Sequence, residues 1–268
     1  MCSFKMEILI PIITLSGLGL LFGIGLAFAS KKFCVHVDPR QEQVLDKLPG
    51  ANCGACGQAG CMGFSEALIK GSCSVDRCPV MKQEDKQEVA GILGVELKEA
   101  AKLVAVLHCN GGKKVKDRFQ YQGIKDCVAA NQLQGGQKAC VWGCLGFGSC
   151  AKVCPFGAIT MDDETGLPVV DKSKCTACGN CVKICPKNLF KLIDIKKTVY
   201  IACSSHDKGK AVMDVCKVGC IACGKCEREC PSGLFKVKDN LAQIDYNNYV
   251  ACDDCVKVCP TKTIRKRG

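Results

Sequence analysis

The sequence predicts an α+β chain. One N-terminal helix able to span a membrane precedes a small helical domain and two copies of a module built from short hairpins and helical turns. Three observations predict this. Ile8 to Ala29 runs 22 residues without a charge, enough for a helix across a hydrocarbon core of about 30 Å. The 26 cysteines among 268 residues fall in tightly spaced runs, several closed by Cys-Pro. The C-terminal half also aligns with itself, cysteine on cysteine, as an internal repeat does.

Lys31 and Lys32 follow the apolar run at once, with Arg40 and Lys47 beyond, against Lys5 alone on the other side. Positive-inside bias therefore predicts a single-pass anchor over residues 1–32 in the cytoplasmic (inner) membrane, with every cysteine motif on the cytoplasmic side. A cleaved signal peptide is the competing reading, because Ala27-Phe28-Ala29 resembles a small-residue cleavage site. Against it, the run exceeds the about 7–15 residues of a signal h-region, Glu7 interrupts the n-region, and a Lys pair past the site opposes export. Gly19 and Gly23 form a G-x-x-x-G pair that suits a neighbouring helix, although glycine is common in membrane helices generally.

Cysteine at this density either staples small secreted domains as disulfides or binds soft metals as thiolates, and spacing decides between them. With one Trp, four Tyr and ten Phe, the small domains have thin cores that call for such a staple. Residues 33–85 are expected to form the first metal domain. Cys53, Cys56 and Cys61 lie within nine residues and Cys78 completes the set. The glycines of Leu48-Pro49-Gly50-Ala51-Asn52-Cys53-Gly54-Ala55-Cys56-Gly57 let backbone pass close to an inorganic core and turn N–H groups toward its sulfurs. Zinc ribbons favour two separated C-x2-C knuckles, so the compact trio predicts a [4Fe–4S] cluster, with a short helix from Met62 to Ile69.

Cys175-x2-Cys178-x2-Cys181-x3-Cys185-Pro186 is the bacterial ferredoxin run, whose fourth cysteine ligates the other cluster of a pair. Upstream, Cys140-x3-Cys144-x5-Cys150-x3-Cys154-Pro155 supplies the partner. One cluster is expected on Cys140, Cys144, Cys150 and Cys185, and the other on Cys175, Cys178, Cys181 and Cys154. Ala158–Met161 and Pro168–Asp171 alternate like the strands of a hairpin. A ferredoxin-like (βαβ-type) module is thus expected at residues 136–196, preceded by a connecting α/β segment at 86–135.

A second ferredoxin-like module is expected at residues 197–268. It holds Cys220-x2-Cys223-x2-Cys226-x3-Cys230-Pro231 and Cys252-x2-Cys255-x3-Cys259-Pro260. Cys220, Cys223, Cys226 and Cys259 make a complete ligand set. Aligning the repeats sets Tyr249 where the first ligand of the last cluster should stand, which leaves that cluster Cys230, Cys252 and Cys255 alone. A three-iron cluster, a four-iron cluster with another ligand, and no cluster all remain open there. The expected cofactors are therefore at least four [4Fe–4S] clusters and one incomplete site.

Seven cysteines fall outside these sets. Cys2, Cys34 and Cys73 read as incidental, and Cys216 as a spare thiol in a ligand-like position. Cys109 and Cys203 each end a predicted buried strand, Leu103–Leu107 and Val199–Ala202. With Cys127 and Cys216 they number four, enough for one further cluster. The plainer reading is that buried cysteine acts as a small apolar residue, and the sequence leans to it. His36, His108 and His206 are not spaced as ligand pairs.

The formal charge of +11 invites a nucleic-acid partner, and the motifs argue against one. Four thiolates on a core of charge about +2 leave about −2 per site, because bound thiols are deprotonated. The lysines are also scattered among the cysteines instead of forming a stripe with interleaved aromatics. The Lys-rich stretches at 183–197 and 257–267 suit a dock for an acidic protein, and equally a plain solvated face. No dinucleotide G-x-G-x-x-G, P-loop or nucleophile elbow is present, so the expected role is electron transfer and not bond-making catalysis.

The order of these parts resembles the B subunit of the Rnf complex over nearly the whole chain. The anchor, the Leu48–Gly57 segment, Gly143-Cys144-Leu145-Gly146-Phe147-Gly148-Ser149-Cys150 and Val215-Cys216-Lys217-Val218-Gly219-Cys220-Ile221-Ala222-Cys223 carry the likeness. It implies a six-subunit ion-translocating membrane assembly that exchanges electrons between soluble ferredoxin and nicotinamide, pumping sodium ions or protons. Partners would then be the other membrane subunits and ferredoxin. Tyr249 departs from the cysteine the family places there. A polyferredoxin subunit of another membrane dehydrogenase or hydrogenase, and a zinc-binding scaffold, are the alternatives.

Overall fold

The computed structural model describes residues 3–32, 38–97, 101–250 and 254–267, with side chains from Ile12 onward and not at Asp254. Cys2, Cys34, His36 and Cys252 therefore lie outside the described residues. The chain divides into two compact units, Met1–Gln43 and Val44–Gly268.

The first unit is dominated by α1 (Ser3–Lys32). From Ile12 to Lys32 it is long and apolar enough to cross a membrane. Leu15, Leu21 and Phe28 all stand exposed, so its apolar surface runs round the helix instead of forming one stripe. Lys31 and Lys32 close its last turn, where cations favour the helix dipole. α2 (Pro39–Lys47) starts with proline at its first position, where no N–H is needed.

The second unit opens with α3 (Gly60–Ile69) and α4 (Gln83–Leu93). Phe64, Leu68, Val75 and Val89 pack there with Val44 and Leu48 around Cys78. Asn52, in the left-handed region at φ 45°, turns its Oδ1 to accept the Cys61 N–H at 2.8 Å. A Cβ on Gly60 would meet that oxygen at 2.8 Å, which is why glycine opens α3. Gly94 ends α4 in the αL conformation, as helix C-caps commonly do.

Two strand sets follow, each made the same way. The first runs β1 (Leu103–Leu107), α5 (Cys127–Gln132), α6 (Ser149–Lys152), β2 (Ile159–Met161), β3 (Pro168–Val170), α7 (Asn180–Ile184) and β4 (Phe190–Asp194). β2 and β3 form the hairpin, while β1 pairs antiparallel with β4 from Leu103↔Asp194 to Leu107↔Phe190. The segment before residue 136 thus contributes a strand of this set. Val104, Val106, Ile159, Phe190 and Ile193 form its core with Cys150, Cys175 and Cys181.

The second set runs β5 (Val199–Ile201), α8 (Gly209–Val215), α9 (Lys225–Glu229), β6 (Phe235–Lys238), β7 (Leu241–Ile244), α10 (Asp254–Val258) and β8 (Ile264–Lys266). β6 and β7 turn over Asp239 and Asn240, both at positive φ, as a tight two-residue hairpin requires. β5 pairs with β8. Val199, Leu234, Phe235 and Ile264 are buried together with Cys220, Cys226 and Cys230. Arg267 ties the sets: its backbone N–H reaches Thr198 O at 2.8 Å, and its guanidinium donates to Asp194 O at 2.9 Å and to Lys197 O.

Candidate metal centres

Two ligand loops have one shape. Cys175-Thr176-Ala177-Cys178-Gly179 and Cys220-Ile221-Ala222-Cys223-Gly224 place their alanines at φ 57° and 53° and their glycines at 80° and 68°. Left-handed backbone costs alanine roughly 1–2 kcal/mol. Two repeats that hold the same unfavourable turn share a requirement to wrap chain around something.

Cys154, Cys175, Cys178 and Cys181 line one cavity with Ala105, Phe156 and Leu192. Cys220, Cys223, Cys226 and Cys259 line another with Ile201, Val237 and Ile264. Each set is the one that the spacing predicts. Backbone N–H groups point at the sulfurs: Ala105 to Cys175 at 3.5 Å, Ala242 to Cys220 at 3.5 Å, Ala158 to Cys154 at 3.4 Å, and Thr263 to Cys259 at 3.3 Å. Burial, then the charges of Cys175 and Cys178, push the Cys181 thiol up to about 12. Burial and the charges of Cys220, Cys223 and Cys259 push Cys226 up to about 11. Such thiols stay protonated unless a cationic core takes them as thiolates.

At the first cysteine group, burial raises the Cys78 thiol, which also feels Cys56 and Cys53. Cys61 and Cys56 pack against the same core.

The remaining pair differs from the expected set. Cys144, Cys150 and Cys185 do line one cavity, beside Leu107, Met161 and Phe190, but the fourth thiol there is Cys127 and not Cys140. Burial pushes Cys150 up to about 12, followed by the charges of Cys127 and Cys185. The reason is local. Asp126 caps α5 by accepting from Val128 N–H and Ala129 N–H at 2.8 and 3.1 Å. Its other oxygen accepts the Ser149 hydroxyl at 2.6 Å, and that hydroxyl accepts the Cys127 N–H at 2.7 Å. Ser149, next to Cys150 in sequence, thereby pins Cys127 over the cavity. Three residues after Cys144 the chain has Phe147, where the second set has Cys223 three after Cys220, and Cys127 brings the missing thiol to the cavity. Cys140 faces a separate cavity, which Cys109, Cys203 and Cys216 also line. Cys216 is thus no isolated thiol: it meets Cys109, Cys140 and Cys203 at one cavity, and Cys127 lines the other.

At the incomplete site, Cys230 shares a 3.2 Å contact with the Ser232 hydroxyl, and Cys255 is disulfide-bonded. The Tyr249 oxygen accepts the Val199 N–H at 2.9 Å, and its ring stacks on Tyr246 at 6.0 Å. That residue works here as a core side chain. His108 is buried with its ring edge toward Tyr200, and His206 Nδ1 bonds the Asp239 carbonyl at 2.9 Å.

Among the described residues, no three His, Cys, Asp or Glu side chains converge as ligands of a single metal ion. Zinc would need its sulfurs all about 2.3 Å from one point. Thiols that ring a cavity without closing on a point, with N–H groups aimed at them, fit a larger iron–sulfur core.

Three family profiles agree with this chemistry. One described as a putative Fe-S cluster matches residues 48–80. One described as a 4Fe-4S dicluster domain matches 136–189 and 219–263, and another of the same description matches 174–235. The chain is 43% identical over 258 residues to the B subunit of the Na+-translocating ferredoxin:NAD+ oxidoreductase complex of Acetobacterium woodii, covering 96% of this chain and 77% of that one. It is 42% identical to the B subunit of the ion-translocating oxidoreductase complex of Methanosarcina acetivorans, covering 96% and 97%. The B subunit of the proton-translocating ferredoxin:NAD+ oxidoreductase complex of Clostridium ljungdahlii is also 42% identical, covering 96% and 92%. The chain therefore belongs to the B-subunit family of ion-translocating (Rnf-type) oxidoreductase complexes, as an iron–sulfur electron-transfer subunit.

Proposed function

We propose that the chain carries single electrons from reduced soluble ferredoxin toward NAD, through a row of [4Fe–4S] clusters, to partner subunits that hold the nicotinamide chemistry. One observation carries this reading: the centres are near neighbours. Cys178 feels the charge of Cys53, from the first cysteine group, and Cys181 feels that of Cys150, from the next. Cys144 and Cys109 are joined by a 3.5 Å N–H···S contact. Cluster potentials respond to such N–H···S bonds, to burial and to nearby charge.

The ligand sets are Cys53, Cys56, Cys61 and Cys78; Cys154, Cys175, Cys178 and Cys181; Cys127, Cys144, Cys150 and Cys185; and Cys220, Cys223, Cys226 and Cys259. The two strand sets are two ferredoxin-like modules, the first beginning at β1. α1 anchors the protein in the cytoplasmic membrane, and the charge asymmetry around it puts the centres on the cytoplasmic side. The lysines of 183–197 and 257–267 steer acidic ferredoxin.

The test is anaerobic purification of the full chain, with iron and sulfide counts and electron paramagnetic resonance. At least about sixteen irons per chain are expected, four for each of these four centres. A pale protein with half that or less overturns the proposal.

A further inference from the structure

We propose that Cys109, Cys140, Cys203 and Cys216 hold an additional [4Fe–4S] cluster, which bridges the two strand sets and joins their clusters into one path. The inference rests on the proposed electron-transfer role and adds a site to it. The matched profile segments leave Cys109 and Cys127 outside, since they begin at residues 48, 136, 174 and 219 and the first ends at residue 80.

The first argument is convergence. The four thiols line a single cavity with about 470 Å³ of atom-free space, against about 380, 360 and 320 Å³ at the Cys127, Cys220 and Cys175 cavities. All four are free thiols, so disulfides do not account for their meeting.

The second argument is symmetry. Cys109 stands two residues beyond the end of β1, and Cys203 two residues beyond the end of β5. Cys140 precedes Cys144 by four residues, as Cys216 precedes Cys220. Each strand set thus contributes one cysteine of each kind. A chance cluster of apolar cysteines has no reason to obey the repeat, whereas a site that both repeats build has one.

The third argument is the rim. A Cβ on Gly143 would lie 3.4 Å from the Cys140 sulfur. One on Gly111 would lie 3.6 and 3.9 Å from the sulfurs of Cys216 and Cys109, and 2.7 Å from Val115 Cγ2. Glycine keeps chain close to the sulfurs without filling the space between them.

Position supplies the role. Cys144, a ligand of the Cys127 centre, donates its own N–H to Cys109 at 3.5 Å. On the other side, the Cys203 thiol feels the charge of Cys220, a ligand of the next centre, and both sit by Ala202 and Ile201 at the end of β5. A cluster here therefore has a neighbouring centre on each side, one of them joined to it through an N–H···S bond. The order of centres along the path becomes Cys53, Cys175, Cys127, Cys109 and Cys220.

The experiment compares wild-type full-length protein with Cys203→Ala/Cys216→Ala, both prepared anaerobically. The double variant should lose about four irons and four sulfides per chain. It should keep the resonance signals of the other clusters and lose the spin coupling between the two strand sets. Unchanged iron overturns the inference and leaves the general function standing, whereas iron-free wild type overturns both. Should the double variant lose more than about eight irons through misfolding, Cys140→Ser decides. It should keep its iron count and shift the g-values of one cluster, and an unaltered spectrum overturns the site.

Discussion

Ser149 is the residue that holds Cys127, in place of Cys140, at the cavity of Cys144, Cys150 and Cys185, and its removal has a size that can be worked out. The side chain is 4% exposed. Ser149→Ala deletes a charge-assisted hydrogen bond to Asp126 and strips the Cys127 N–H of its acceptor. A bond to a charged group contributes about 1.5–3 kcal/mol, and an orphaned buried N–H costs about 1–3. Asp126 is half-buried and still reaches water, which screens and partly replaces its bond, so the low ends apply and sum to about 2.5 kcal/mol. At 1.4 kcal/mol per decade this speeds local opening of the Cys127 loop about 60-fold. The assay is anaerobic iron release to a coloured chelator, followed in time. One phase of about four irons should accelerate by that factor, and the others should keep their rates. Asp126→Asn, which retains an acceptor, should show a smaller effect. If Ser149→Ala releases iron within twofold of wild type while Cys127→Ala abolishes a phase, the account of how Cys127 is held is wrong.

Three further outcomes follow from the same structure. Tyr249→Phe leaves the fully buried Val199 N–H unpaired and should cost about 1–2 kcal/mol in denaturant midpoint analysis. Its iron content should stay the same, and a changed count would make Tyr249 a ligand. Gly112→Ala would drive a Cβ to 2.1 Å from Thr165 O at φ +51° and break the bond Lys113 N–H makes to that carbonyl. A loss of about 3 kcal/mol or more is expected, and wild-type thermal stability would refute the close approach. Burial pushes the Tyr246 hydroxyl up to about 12, above its ordinary value near 10. The folded chain then keeps a proton that the unfolded chain loses. Stability should be intact below about pH 10 and fall between about 10 and 12, by an amount of order 1 kcal/mol after discounting for solvent exposure. Tyr246→Phe should flatten that alkaline decline in unfolding titrations, and an identical slope would contradict it.

Local pattern was enough to read much of this. The hairpin of β2 and β3, the helix α3 and the strands β1 and β5 stand where alternation and apolar runs put them. The Cys175 and Cys220 thiols meet at the cavities where spacing groups them, because three of each group lie within seven residues. What escaped is what depends on distance along the sequence. Cys140 and Cys127 both precede Cys144, and spacing prefers the nearer. Only the Asp126–Ser149 bond reverses that preference. Leu103–Leu107 reads as a strand but not as the partner of Phe190–Asp194, because an antiparallel pair about ninety residues apart leaves no local trace. Cys109 and Cys203 read as strand ends in an apolar setting; both are half-buried, and only the pairing of the two strand sets brings them to one cavity.

The pairing of β1 with β4 bears on how this protein can be cut. A shortened version that starts at residue 136, where the dicluster match begins, would shed β1 and leave the backbone of Phe190–Asp194 without its partner. That row of open N–H and C=O groups would invite another chain to add itself. Such a fragment should precipitate or stack into oligomers, although each Cys-Pro run it retains would still look complete on paper.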